Sequence, residues 1–326
     1  MRVHILDDWF DTLRGLPCFS RLAAHDVTVW TDHEPDPARL AERLEAAEAL
    51  VLFRERTAIT APLLDRLPNL RLVSQRSVYP HIDVDACTRN GVLLCSNMHA
   101  GTPSYAAAEL TWALILAAMR QLPQQMASLK AGQWQMGVGR TLRGRRLGLY
   151  GYGRIAQAVA GYARAFGMEV LWWASEEGRA RAEADGEPVA ESREAFFAGC
   201  DIVSVHVRLK PGTRGIIGPA DFAAMRPDGL FVNTSRAGLV QPGALLAALE
   251  AGRPGSAAID VFDSEPLTDA SDPLLSHPNL IATPHIGYVT EDEFDLQFSD
   301  IFDQVNAFDR GAPIHMINQE VLDRHA

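Results

Sequence analysis

The segment Leu147-Gly148-Leu149-Tyr150-Gly151-Tyr152-Gly153-Arg154-Ile155-Ala156 constrains this chain more than any other. It sets a G-x-G-x-x-A turn between an apolar strand-like run and residues 157–166, which are helical in period. In that setting Gly151 permits a tight turn and Gly153 lets backbone approach a pyrophosphate. The small Ala156 allows close helix-strand packing, while the helix N-terminus faces the phosphates. A bare glycine turn could merely connect two elements; with strand and helix in place, a dinucleotide site is the stronger reading. Tyr152, Arg154 and Ile155 complete the candidate loop. The second part of the fingerprint is an acid about 20 residues on that hydrogen-bonds the adenosine ribose. Here that position is Ala174. Ser175, Glu176 and Glu177 follow, then Arg179 and Arg181, so the ribose reader is displaced or absent, and residues 176–181 read by themselves as a solvated helix start. NAD is expected and NADP stays open, because Ala174 removes the acid that repels a 2′-phosphate while Glu176 and Glu177 lie close enough to replace it.

Around this motif, short β-branched or aliphatic runs alternate with amphipathic stretches. Residues 2–6, 27–30, 49–53, 70–74 and 92–95 form a first series; residues 146–150, 169–173, 201–205, 229–233, 257–261 and 280–283 form a second. Strand alternating with helix implies parallel sheets, and 326 residues suit two domains at about 150 residues each. Residues 105–119, apolar on nearly every side, predict a long helix buried in a core or a subunit interface, hence a homodimer. Beyond Pro284, Phe294, Phe298, Ile301, Val305 and Phe308 recur at helical spacing until Gly311, and this tail needs a surface to cover it.

Composition narrows the partners. The 41 acidic and 30 basic side chains give a net charge of -11, which disfavours nucleic acid and anionic membrane surfaces. No apolar run reaches the roughly 20 residues that cross a bilayer, and residues 1–6 enter strand-like sequence with no signal peptide expected. Cys18, Cys87, Cys95 and Cys200 are too dispersed for a metal or redox pair, so no metal site is expected and a reducing cytoplasm fits best.

Three later segments, Val232-Asn233-Thr234-Ser235-Arg236-Ala237-Gly238, Asp260-Val261-Phe262-Asp263-Ser264-Glu265-Pro266 and Thr283-Pro284-His285-Ile286-Gly287, stand in this order after the glycine turn. Together they resemble the D-2-hydroxyacid dehydrogenase family, which includes phosphoglycerate, D-lactate and glyoxylate/hydroxypyruvate enzymes. Reducing a 2-keto acid requires a cation for the carboxylate and carbonyl, a proton donor, and a hydride from nicotinamide. Arg236 suits the first task through its planar guanidinium. His285 can exchange a proton near neutral pH, and a carboxylate at Glu265 would orient the ring and favour imidazolium. Read singly, these residues could be a surface cation, a turn acid and a satisfied histidine; together, each at the end of a predicted parallel strand, they read as a catalytic set.

The resemblance further implies that Asp260 contacts the nicotinamide amide, and that His206, Thr213, Thr234 and Ser235 line the cofactor cleft. It implies an α/β fold in which residues 1–98 and 287–326 form a flavodoxin-like substrate domain around an inserted Rossmann domain, residues 99–286. Many relatives carry a G-x-G-x-D loop where this chain has Gln75-Arg76-Ser77-Val78-Tyr79-Pro80-His81. Side chains at Arg76 and Val78 would hinder an amide nest of that type, so a small 2-keto or 2-hydroxy acid is expected to be held by Arg76 or Ser77 instead, unless Arg76 points to solvent. Arg54 and Arg56 lie in another loop resembling a substrate-domain segment. Formate dehydrogenases have glutamine in place of Glu265. The alternative from another class is a dinucleotide-sensing binding protein like the C-terminal-binding corepressors, which share this fold and the same Arg, Glu and His.

Overall fold

Short runs of aliphatic residues become strands of a parallel sheet where both faces can be covered, and here each of two sheets carries helices on its two faces. The structure, a computed structural model, describes residues 1–98 and 105–323. The chain divides into one unit of Met1–Pro103 with Val289–Ala326 and another of Ser104–Tyr288. The boundary expected at residue 99 falls on residues 99–104, which lie outside the described residues.

In the first unit β1 (Arg2–Ile5), β2 (Asp26–Val29), β3 (Ala49–Val51), β4 (Leu72–Arg76) and β5 (Leu93–Asn97) pair in the order β2-β1-β3-β4-β5, all parallel. This is the flavodoxin-like order. Helices α1 (Pro37–Leu44), α2 (Ala61–Leu64) and α3 (Val84–Arg89) cover one face. Leu40, Leu44, Leu63, Leu64 and Cys87 bury against Leu50, Val73 and Leu94. Each helix starts where local chemistry allows: Asp36 accepts from the Ala38 and Arg39 amides with Pro37 at the first position, and Asp83 accepts from the Ala86 amide.

In the second unit α4 (Ala106–Arg120) and α5 (Leu122–Lys130) precede β6 (Arg146–Tyr150). Then come α6 (Arg154–Ala165), β7 (Glu169–Trp173), α7 (Glu176–Ala184), α8 (Arg193–Gly199) and β8 (Ile202–Val205). The series ends with α9 (Pro219–Ala224), β9 (Leu230–Asn233), α10 (Ala244–Glu250), β10 (Ser256–Ile259) and β11 (Leu280–Ala282). The six parallel strands run β11-β10-β9-β8-β6-β7, so the order reverses beside β6, the position at which open α/β sheets bind nucleotides. One face buries α4 and α6 through Ala108, Trp112, Ile115, Ala156, Val159 and Ala160; the other buries α8 to α10 through Phe196, Phe197, Phe222 and Leu249.

The structure shows what covers the two apolar segments beside the sheets. The apolar α4 is largely covered within its own unit, with Trp112 stacked edge-on against Phe166 at 5.0 Å. The exposed apolar side chains come later: Leu122, Met126 and Leu129 on α5, then Trp134, Met136 and Val138. The C-terminal tail forms α11 (Glu291–Asp309), capped by Thr290, and its covering surface is the first unit's sheet. Phe298 packs on Phe53 with centroids 4.4 Å apart, and the Ser74 hydroxyl donates to the Ile301 carbonyl at 2.9 Å. Five apolar side chains of α11, Phe294, Phe298, Ile301, Phe302 and Val305, are buried, each contributing about 1.5–3 kcal/mol.

Candidate active site

Tight backbone approach shapes the glycine turn. Gly151 has φ +116°, and a Cβ there would lie 2.3 Å from the carbonyl oxygen of His206, so no other residue fits. Gly153 caps α6 without a side chain, and a Cβ there meets nothing within 4 Å. The first amides of α6 thus face open space with no side-chain acceptor, the arrangement that receives a phosphate. Ala156 is fully buried against β6. These features fit a dinucleotide. Tyr152 is buried and donates its hydroxyl to Asp185 at 2.5 Å, while Arg154 and Ile155 open the helix with their side chains exposed.

His206, at the end of β8, is half-buried, with Nε2 2.9 Å from the Ser204 hydroxyl, and burial pushes its pKa down to about 4. Thr213, expected along the cofactor cleft, spends its hydroxyl on its own turn, donating to the Arg208 carbonyl at 2.7 Å and accepting from the Lys210 amide at 2.9 Å.

The catalytic candidates follow three adjacent strands, β9, β10 and β11, at their C-terminal ends. After β9, Asn233 clamps the loop: its Oδ1 accepts from the Ser235 amide and its Nδ2 donates to the Arg236 carbonyl, both at 3.0 Å. The Ser235 hydroxyl donates to Val205 O at 2.7 Å, and the hydroxyls of Thr234 and Thr111 lie 2.7 Å apart. Arg236, so mounted, is half-buried and donates to the Ser235 carbonyl at 2.7 Å.

After β10 comes Asp260, fully buried. Its Oδ1 accepts from the Thr283 hydroxyl at 2.6 Å and the Ile286 amide at 2.8 Å; its Oδ2 accepts from the Gly287 amide at 2.8 Å. Both carboxylate oxygens therefore hold the loop after β11. Desolvation raises its pKa against the lowering pull of these donors. The loop carries His285 in a left-handed conformation, φ +52°, which side chains rarely adopt and which these three bonds hold in place. The ring's Nδ1 lies 2.5 Å from Glu265 Oε2, and Tyr288 packs edge-on against it at 5.7 Å. Burial works against ionisation of Glu265, but the His285 hydrogen bond, the Phe262 amide and the charges of His285 and Arg236 outweigh it and hold the carboxyl below its usual range.

The D-isomer specific 2-hydroxyacid dehydrogenase NAD binding domain profile matches residues 112–287, the stretch that contains the glycine turn, Arg236, Asp260, Glu265 and His285. The chain belongs to that family. A glyoxylate reductase from Aeropyrum pernix is 34% identical over 313 residues, covering 91% of each chain. A D-3-phosphoglycerate dehydrogenase from Methanocaldococcus jannaschii is 36% identical over 83% of this chain, which spans 52% of that protein's length. The crystal structure of a phosphoglycerate oxidoreductase from Vibrio cholerae superposes with a TM-score of 0.90 at 46% identity, covering 96% of this chain and 100% of that one. The chain is accordingly an NAD-dependent hydroxyacid dehydrogenase.

The dehydrogenase's first unit holds the remaining candidates at the C-terminal edge of its own sheet. Arg54, after β3, and Ser77, after β4, both have positive φ, +57° and +78°. Ser77 keeps a left-handed turn although both glycines are gone. Its amide donates to the Asn97 carbonyl at 3.2 Å, and its carbonyl accepts from Gln75 Nε2 and Ser96 Oγ at 2.8 and 2.7 Å. The left-handed conformation therefore falls on Ser77, between the two side chains expected to hinder it. Arg76 does not point to solvent: its side chain is 10% exposed and Nε pairs with Asp300 at 3.2 Å. Asp7, Asn233, Thr111 and Tyr288 were not singled out from the sequence. Asp7 is left-handed at the end of β1 and accepts from Thr57 Oγ1 at 2.6 Å. Nothing in local spacing distinguishes these four from ordinary loop and helix residues.

Proposed function

We propose that this dehydrogenase reduces a small 2-keto acid to the D-2-hydroxy acid, with Arg236, Glu265 and His285 as its catalytic residues. The observation that carries the reading is the Glu265–His285 pair at 2.5 Å beside the charge of Arg236. NAD, held at residues 151–156, supplies or takes up the hydride when bound. Arg236 binds the substrate carboxylate and draws electron density from the carbonyl. Glu265 fixes the ring through Nδ1, which leaves Nε2 to give its proton to the oxygen that becomes the hydroxyl. The pair is partly exposed, with side-chain exposures of 26% for His285 and 34% for Glu265, so a ligand can reach it.

The same reading takes the enzyme as a homodimer formed through α5 and residues 131–138, supported by Leu129, Trp134 and Val138 at 59%, 75% and 92% exposure. A cytoplasmic location is supported by four cysteines kept as buried free thiols, each raised to about 12 by burial.

Steady-state turnover of glyoxylate, pyruvate, hydroxypyruvate and 3-phosphohydroxypyruvate with NADH tests the reading. Turnover of at least one acid, lost in His285→Ala, is the expected result. NADH binding with no turnover of any acid would overturn it in favour of a dinucleotide-sensing protein.

A further inference from the structure

We infer that Gln75 is a positioning residue for the substrate: its buried side-chain amide turns two consecutive peptide groups of the loop after β4, so that the Val78 and Tyr79 N–H groups are presented to the carboxylate of the keto acid. The inference rests on the reading of the chain as a 2-keto acid reductase. It starts from a side chain that stability alone does not explain. Gln75 is fully buried on β4, and its Oε1 has no hydrogen-bond partner. A buried amide left half-satisfied costs free energy that a leucine of similar volume would not. The other half of the amide is fully engaged. Nε2 donates to the Ser77 carbonyl at 2.8 Å and to Ser96 Oγ at 2.7 Å, with the Val78 carbonyl 3.4 Å away. The Ser96 hydroxyl donates in turn to the same Ser77 carbonyl at 2.7 Å.

These bonds converge on Ser77, whose φ of +78° glycine would adopt freely and serine does not. They also decide where the loop's donors point. A trans peptide group is planar, with its N–H opposite its carbonyl, so turning the Ser77 and Val78 carbonyls toward Nε2 turns the Val78 and Tyr79 N–H groups away from it. Neither N–H has an acceptor among the described residues, and both residues are partly exposed. Two adjacent N–H groups left free in this way form a concavity for an anionic oxygen, and a carboxylate is the anion that a keto acid carries. The brace is itself held from behind. Gln304 of α11, also fully buried, donates to the Gln75 carbonyl at 3.2 Å and accepts from the Ser74 hydroxyl at 3.0 Å. Gln75 therefore supplies by hydrogen bonding the loop conformation that a glycine would supply by its freedom.

Steady-state KM and kcat for the best keto acid, with urea unfolding midpoints, test this on the wild type, Gln75→Leu, and Gln75→Leu combined with Ser77→Gly. Gln75→Leu is expected to raise KM at least about tenfold while kcat stays within about threefold and the midpoint stays close to that of the wild type. Adding Ser77→Gly is expected to bring KM back to within about threefold of the wild type, because glycine takes the left-handed turn without a brace. A glutamine that only supports the fold would give a lowered midpoint and no such rescue. An unchanged KM in Gln75→Leu overturns the inference, as does a raised KM that Ser77→Gly leaves unrestored. If Gln75→Leu does not fold, Ser96→Ala removes the other donor to the Ser77 carbonyl and carries the same expected rise and rescue. A wild type that turns over no acid would instead overturn the reading beneath the inference.

Discussion

His285 Nδ1 lies 2.5 Å from Glu265 Oε2, which leaves Nε2 as the ring nitrogen able to trade a proton with a substrate. The geometry is demanding because the loop holding His285 is left-handed at that residue and is tied down by Asp260. Two acids thus serve one histidine: Glu265 orients the ring, and Asp260 shapes the backbone beneath it.

From this pair it follows that Arg236→Ala and His285→Ala abolish most turnover while NADH affinity stays within about threefold. Glu265→Gln keeps a hydrogen-bonding side chain but removes the carboxylate's charge beside the ring. It should cost less activity than loss of His285, because the ring stays held through Nδ1. Values of kcat/KM for the three variants measure this, and a Glu265→Gln enzyme as inactive as His285→Ala would show that holding the ring without the charge is not enough.

One pH effect concerns folding. Burial lowers the pKa of His206 to about 4, against an ordinary value of 6.5. Between those values the unfolded chain takes up a proton that the native protein refuses, so stability is full above about pH 6.5 and is lost as pH falls toward 4. His4 and His81 are shifted in the same direction by burial. Urea unfolding midpoints at pH 7 and pH 5 should fall further in the wild type than in His206→Gln. Equal falls would mean that His206 is solvated in the native state.

Much of this was legible in the sequence because the signals are local. The glycine turn, the strands at residues 146–150 and 169–173 and the tail helix follow from spacing within about a dozen residues. Arg236, Glu265 and His285 were named as candidates from three ordered segments, and the structure brings Glu265 and His285 together. What could not be read was long-range pairing. Asp260 and Gly287 are 27 residues apart, and nothing near Asp260 announces that its carboxylate is consumed by a loop. Ser77 illustrates the reverse case: the missing glycines suggested a lost turn, while hydrogen bonds from Gln75 and Ser96 preserve its conformation. The apolar α4 could be read only as core or interface, because its own covering partners, α6 and the sheet, are distant in sequence.

Assembly is therefore expected to depend on side chains beyond α4. Leu129→Glu with Trp134→Glu places two charges on the exposed apolar surface, where each side chain withdrawn from water contributes about 1.5–3 kcal/mol. Light scattering at micromolar concentration should give a dimer mass for the wild type and a monomer mass for the double variant, with circular dichroism unchanged. A dimer that survives both charges would move the interface elsewhere.

The last prediction separates two roles for Arg76. A substrate cation would be free to meet a carboxylate, whereas Arg76 is already paired through Nε with Asp300, whose Oδ2 also accepts from Asn97 at 3.1 Å. Its side chain is 10% exposed, and Nη1 is buried with no hydrogen-bond partner, so the group is held by β4 and α11 rather than poised for a ligand. Arg76→Ala should therefore lower unfolding stability by about 1.5–3 kcal/mol, the range for a hydrogen bond to a charged group, and leave KM for the keto acid within threefold. Asp300→Asn should recover part of the stability lost by Arg76→Ala, because it removes the carboxylate stranded without its cation. A KM raised tenfold or more at unchanged stability would instead make Arg76 the substrate's cation and the Asp300 pair its resting place.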